Sequence, residues 1–187
     1  VQALQFLADG SLQAIFPIFS RHYGTSHGSF DLAYEKSFKF LSIIGVPIAI
    51  FLSFFSHEVI TLVLGKKFIA AVPALRILSW MIAFMFLSNL MENVLIAGGR
   101  QSKCTLVTGI ALTINVVLDL LLIPIWSFTG ASIATLITEI AITILSFYYV
   151  SRIITRKSVL KEAFKPICCG IISLTMLYLL RNVNFVL

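Results

Sequence analysis

Charge is scarce in this chain: only 12% of its 187 residues are Asp, Glu, Lys or Arg, against about 25% in an ordinary soluble domain. The 14 basic and 8 acidic residues are gathered into short segments between apolar runs, so no charged surface can be built and a water-soluble fold is excluded. With 59% of residues hydrophobic, so is disorder. Cysteine is nearly absent as well. Cys104, Cys168 and Cys169 lie in apolar runs without metal-ligand spacing, and the adjacent pair points about 100° apart on a helix, so they read as packing residues. The histidines His22, His27 and His57 lie in or beside loops, apart from the carboxylates, and no zinc pattern can be drawn. Gly65-Lys66-Lys67 fails as a phosphate loop because Ile60 takes the first glycine position and Lys67 the Ser/Thr position. Neither a nucleophile with a base nor a large polar loop for a catalytic domain is visible. These absences argue against an enzyme, and no cofactor is expected.

What is abundant is long apolar runs. A spanning helix takes roughly 20 such residues, and the sequence predicts an all-α, polytopic membrane protein with about six spans, at 1–20, 38–56, 74–98, 103–123, 130–150 and 165–181. Pro73 and Pro166 suit first helical turns, Pro124 and Gly130 bracket an Ile125–Thr129 turn, and Pro47 should bend the second span. Gly98-Gly99-Arg100 reads as a helix C-terminus with a cationic cap. Val1 already lies in an apolar segment and Leu187 ends an apolar stub, so further helices are expected beyond both ends. The net charge of +6 reflects loop asymmetry rather than nucleic-acid binding. Arg21, Lys36, Lys39, Arg100, Lys103, Arg152, Arg156, Lys157, Lys161 and Lys165 fall in loops one, three and five, which are therefore assigned to the cytoplasm. Lys66, Lys67, Arg76 and Arg181 remain on the other side, with Trp80 and Trp126 near the outer interface and Tyr148 and Tyr149 near the inner one. The stretch Arg152–Lys165 alternates basic and apolar residues, as a surface-lying helix or a solvated connector would.

Polar residues recur at helical spacing on four of the spans: Gln2, Gln5, Asp9, Gln13 and Ser20; Asn89, Glu92, Asn93 and Arg100; Thr105, Thr108, Asn115 and Asp119; Ser132, Thr135, Glu139, Thr143 and Ser146. Such stripes avoid lipid, so a bundle with a polar interior follows. Asp9, Glu92 and Glu139 fall near mid-membrane, whereas Asp119 lies close to the outer end and is the easiest to explain as a snorkelling residue. The mid-membrane carboxyls either glue helices together or line a hydrated path on which a proton or cation exchanges.

Four ordered pieces carry a resemblance: Phe16-Pro17-Ile18-Phe19-Ser20-Arg21; Val59-Ile60-Thr61-Leu62-Val63-Leu64-Gly65 after the Pro47 helix; Ala74-Leu75-Arg76-Ile77-Leu78 leading to Ala97-Gly98-Gly99-Arg100; and Asn115 with Ile123-Pro124 and Gly130-Ala131-Ser132-Ile133-Ala134. The chain resembles the C-terminal half of bacterial polysaccharide (O-antigen and capsule) flippases of the multidrug/oligosaccharidyl-lipid/polysaccharide exporter superfamily. The resemblance implies a piece of a 12–14-helix, two-lobe transporter of the bacterial cytoplasmic membrane. Residues 1–150 would belong to the C-terminal lobe, and 151–187 would form a basic connector plus an accessory span. It implies flipping of undecaprenyl-diphosphate-linked oligosaccharide, with a polysaccharide polymerase and a chain-length regulator as further partners beside the bilayer. The pathway residues would be Asp9, Asn89, Glu92, Asn93, Asn115, Asp119 and Glu139, with Arg76, Arg100 and Lys103 meeting the head group at the two mouths. A cation-coupled drug exporter of the same superfamily and a non-transporting scaffold are the alternatives.

Overall fold

The computed structural model describes residues 27–154, and every regular element among them is helical. In chain order these are α1 (His27–Phe54), α2 (Ser56–Val63), a 3-10 turn (Lys66–Ala71), α3 (Val72–Ala97) and α4 (Gln101–Val150). The expected spans 1–20 and 165–181, with Asp9, Cys168 and Cys169, lie outside the described residues, as does most of the basic connector.

The start of α1 corrects the sequence reading. The chain is already helical at His27, the first described residue, rather than from 38, which places Lys36 and Lys39 on a helix instead of in a loop. Asp31, Glu35, Lys36 and Lys39 make the stretch look like a connector. Within it, however, Phe30, Tyr34, Phe38 and Leu41 recur every three or four residues and are all buried, while the two lysines lie on the exposed side. The helix continues through Pro47 to Phe54. Close by, Gly45 lets Phe86 of α3 approach: a Cβ there would stand 3.3 Å from the ring.

α3 has its proline in the first turn, where the missing N–H costs nothing. It ends as expected at Gly98-Gly99-Arg100. Gly99 takes φ +68°, and the Arg100 N–H donates to the Leu95 carbonyl at 2.8 Å, closing the helix with its orphan carbonyls satisfied.

A straight helix of 50 residues would be about 75 Å long, more than twice the thickness of the hydrocarbon core. α4 breaks instead at Ser127, at φ 52° and ψ −131°. Beyond the break the chain doubles back. Asn115 Nδ2 donates to Thr138 Oγ1 at 3.3 Å, and the Lys103 ammonium lies 5.5 Å from the Tyr149 ring centroid. The two arms, 101–126 and 128–150, match the expected fourth and fifth spans, and the break falls inside the expected turn. Ser127 holds a backbone conformation that suits glycine. Ser127→Gly is therefore expected to raise the thermal midpoint of the detergent-solubilised protein by a few degrees, and Ser127→Val to lower it, when unfolding is followed by intrinsic fluorescence.

Three helical stretches, Phe30–Phe54, Lys66–Ala97 and Gln101–Val150, are long and apolar enough to cross a membrane, the last one folded into a hairpin. α3 is central, with α1 packed on one side and the α4 hairpin on the other. Its core pairs Leu90, Met91, Val94 and Leu95 with Tyr34, Leu41 and Val150, all essentially fully buried. In lipid, close packing rather than water exclusion holds helices together, and small residues allow it. Ala111, Ala134, Ser132, Ser146 and Ser79 occupy buried positions on α3 and α4. The outer side of the first α4 arm carries exposed Leu112, Leu120, Leu121 and Ile125, an apolar face suited to lipid.

Candidate polar pathway

The second arm of α4 turns Glu139 toward α3. Its carboxylate accepts a short hydrogen bond from the hydroxyl of Ser88, which is only 4% exposed. Glu139 is nine residues past Gly130, about 13 Å of helix, and Ser88 is nine residues before the end of α3. The bond therefore lies deep within both spans. One turn further on, Thr143 Oγ1 donates to the Phe84 carbonyl of α3 at 3.4 Å and to its own helix at the Glu139 carbonyl, 2.9 Å. Glu92, one turn along α3 from Ser88, is exposed, and the Cys104 thiol contacts its backbone carbonyl at 3.8 Å.

A second polar group joins the two arms of α4. Asn115 reaches Thr138, which in turn donates to the Ala134 carbonyl at 2.8 Å. Asp119, one turn along from Asn115, is half-buried, and its Oδ1 is buried without a hydrogen-bond partner. The donors here are carboxylate, amide, hydroxyl and carbonyl oxygens, hard groups unsuited to a soft metal. Among the described residues no group of three or more His, Cys, Asp or Glu could hold a metal ion.

The other expected site residues are distributed less compactly. Asn89 and Asn93 are half-buried and bond within α3, Asn93 Nδ2 to the Asn89 carbonyl at 2.8 Å. Arg76 is near the start of α3 and donates through Nε to Ser56 Oγ at 2.9 Å. Arg100 and Lys103 lie at the opposite end of that helix, both exposed. There Lys103 stacks over Tyr149, and Arg152 lies 4.5 Å from the Tyr148 ring centroid and bonds its hydroxyl. Arg76 thus stands at one end of α3 and Arg100 with Lys103 at the other, and among the described residues no Lys or Arg is bonded to Glu139 or Ser88. Ser88 and Thr138 were not visible as site residues from sequence. Ser88 precedes Glu92 by one helical turn, which is the signal that could have marked it.

Long apolar helices with polar groups turned toward one another between them define a helical membrane protein. The chain belongs to the lipid II flippase MurJ family, whose description it matches over residues 7–186. That family is part of the exporter superfamily the resemblance pointed to, and its description names a lipid-linked precursor without singling out O-antigen or capsule. The chain is also 25% identical over 183 residues to an uncharacterized membrane protein of Methanocaldococcus jannaschii, an alignment covering 97% of this chain and 36% of that protein. The chain thus spans about a third of the length of this relative. No solved structure matches it significantly.

Proposed function

We propose that this chain forms part of a flippase that moves a polyprenyl-diphosphate-linked saccharide across the cytoplasmic membrane by alternating access between two helical lobes. Residues 1–150 belong to the C-terminal lobe, and 151–187 add a basic connector and an accessory span. The substrate class includes the lipid II of the family's name and the undecaprenyl-diphosphate-linked oligosaccharide repeat units of surface polysaccharides. The physical need is plain: a sugar head group cannot cross about 30 Å of hydrocarbon unaided, whereas a polar groove shields it while the prenyl tail stays in lipid. The observation that supports this reading best is Glu139, a carboxylate deep in a span and held by Ser88 across the α3–α4 seam. Intramembrane carboxyls of this kind are costly and mark transport paths. In this reading Glu139 exchanges a proton or cation as the seam opens and closes, with Asp9, Asn89, Glu92, Asn93, Asn115 and Asp119 lining the same path. Arg76 at one mouth and Arg100 with Lys103 at the other meet the diphosphate, a group that seeks cationic partners.

The full-length protein, expressed in one strain depleted of its lipid II flippase and in another lacking its polysaccharide flippase, should restore growth or surface polysaccharide respectively, according to which saccharide it carries. Rescue of neither strain, at verified membrane insertion and with substrate compatibility controlled, would overturn the proposal.

A further inference from the structure

The connection between α1 and α3 exposes apolar side chains where water would penalise them. Leu62 at the end of α2 is 88% exposed and Val63 70%; Leu64 follows, and Phe68 and Ile69 on the 3-10 turn are exposed as well. Between these two groups stand Lys66 and Lys67, both exposed. A run of large apolar residues this open is a sticky patch in water.

The connection cannot be a span. α2 has 8 residues and the 3-10 turn 6, about 12 Å each, far short of the hydrocarbon thickness. α2 joins the Phe30–Phe54 stretch to the Lys66–Ala97 stretch, whose opening residues are the 3-10 turn, so continuity sets both short elements at the level where those spans leave the hydrocarbon. Gly65, at φ +89°, makes the corner between α2 and the 3-10 turn. The inner side is fixed: Ser56 and Ile60 are buried, and Ser56 accepts the Arg76 hydrogen bond from α3. With that side held against the bundle, the exposed Leu62, Val63 and Phe68 are free to meet something else.

From this geometry we infer that α2 and the 3-10 turn form a membrane-surface anchor, with Leu62, Val63 and Phe68 entering the acyl boundary and Lys66 and Lys67 binding the phosphates of anionic lipid head groups. The leaflet is the one opposite the Arg100–Lys103 end of α3. Charge complementarity selects the partner: two adjacent exposed lysines flanked by apolar side chains fit an anionic lipid surface better than a neutral one. Each lysine near such a surface favours anionic lipid by roughly fivefold. The anchor does not depend on what the protein transports.

Spin labels on the full-length protein test this. Native cysteines are replaced, single cysteines are introduced as Val63→Cys, Phe68→Cys and His57→Cys, and the protein is placed in phosphatidylcholine nanodiscs with or without phosphatidylglycerol. The labels at 63 and 68 should be relaxed more strongly by oxygen than by a water-soluble nickel chelate, with the reverse at 57. Phosphatidylglycerol should deepen the labels at 63 and 68, and Lys66→Glu/Lys67→Glu should abolish that response; the milder Lys66→Gln/Lys67→Gln serves if the reversal fails to insert. Labels at 63 and 68 that the chelate reaches freely would overturn the inference. So would labels shielded from both reagents, which would mean a protein contact, or depths indifferent to phosphatidylglycerol.

Discussion

Glu139→Gln in the full-length protein is expected to leave folding and membrane insertion intact while reducing flipping at least about tenfold, the equivalent of about 1.4 kcal/mol on the rate-limiting step. Glutamine keeps the shape of the side chain and an oxygen for the Ser88 hydroxyl, but it can neither carry an exchangeable proton nor pair with a cation. Glu139→Ala should be as inactive as Glu139→Gln, and somewhat less stable through loss of the inter-helix bond. Ser88→Ala should cost only about 0.6 kcal/mol, the average for such bonds between membrane helices, and should retain most of the transport. The comparison separates two roles. If the carboxyl merely glues α3 to α4, Glu139→Gln will behave like the wild type, and the losses in Glu139→Ala and Ser88→Ala will be similar and small. The readout is translocation of a fluorescent polyprenyl-diphosphate saccharide in proteoliposomes, alongside the thermal midpoint of each variant.

Gly130→Ala should be the most damaging small substitution in the described region. A Cβ at that position would lie 2.3 Å from the Leu122 carbonyl oxygen and 2.6 Å from its carbon. Both are backbone atoms of the opposing arm, so no rotamer change relieves the clash. The arms of α4 must separate at their closed end, weakening the Asn115–Thr138 bond behind it. Overpacking of this kind costs about 1–3 kcal/mol. The expected result is a thermal midpoint several degrees lower and a reduced yield of inserted protein. Leu122→Ala should not rescue it, because the obstruction is main chain rather than side chain. A Gly130→Ala protein as stable as the wild type would show that the two arms are not packed as described.

Much of this architecture can be read in the sequence because hydrocarbon imposes simple rules. The α4 hairpin follows from a run too long for one crossing, with Pro124 and Gly130 around its turn, and the end of α3 follows from two glycines and an arginine. The start of α1 was obscured for an equally physical reason: at a helix end emerging from lipid, charges are tolerated on one side while an aromatic stripe is buried on the other, so local charge density misleads. The candidate site was half legible. Glu139, Asn115 and Asp119 stood out as polar residues in apolar helices, but their partners Ser88 and Thr138 did not, since serine and threonine are cheap anywhere on a helix, where their hydroxyls can bond the preceding turn. Which helix faces meet was not readable. Asn115 shows this most clearly, since its partner Thr138 lies on an arm that returns along the same side.

In the proposed transport cycle the α3–α4 seam opens to water rather than remaining a packed joint. The most direct measurement is the reaction of a membrane-impermeant thiol reagent with Thr135→Cys and Thr143→Cys, one turn to either side of Glu139, in the otherwise cysteine-free full-length protein, with Leu120→Cys on the outer face as the lipid control. The seam positions should label and substrate should change their labelling rate, while position 120 stays unreactive. Seam cysteines as unreactive as the one at 120, with or without substrate, would contradict the account.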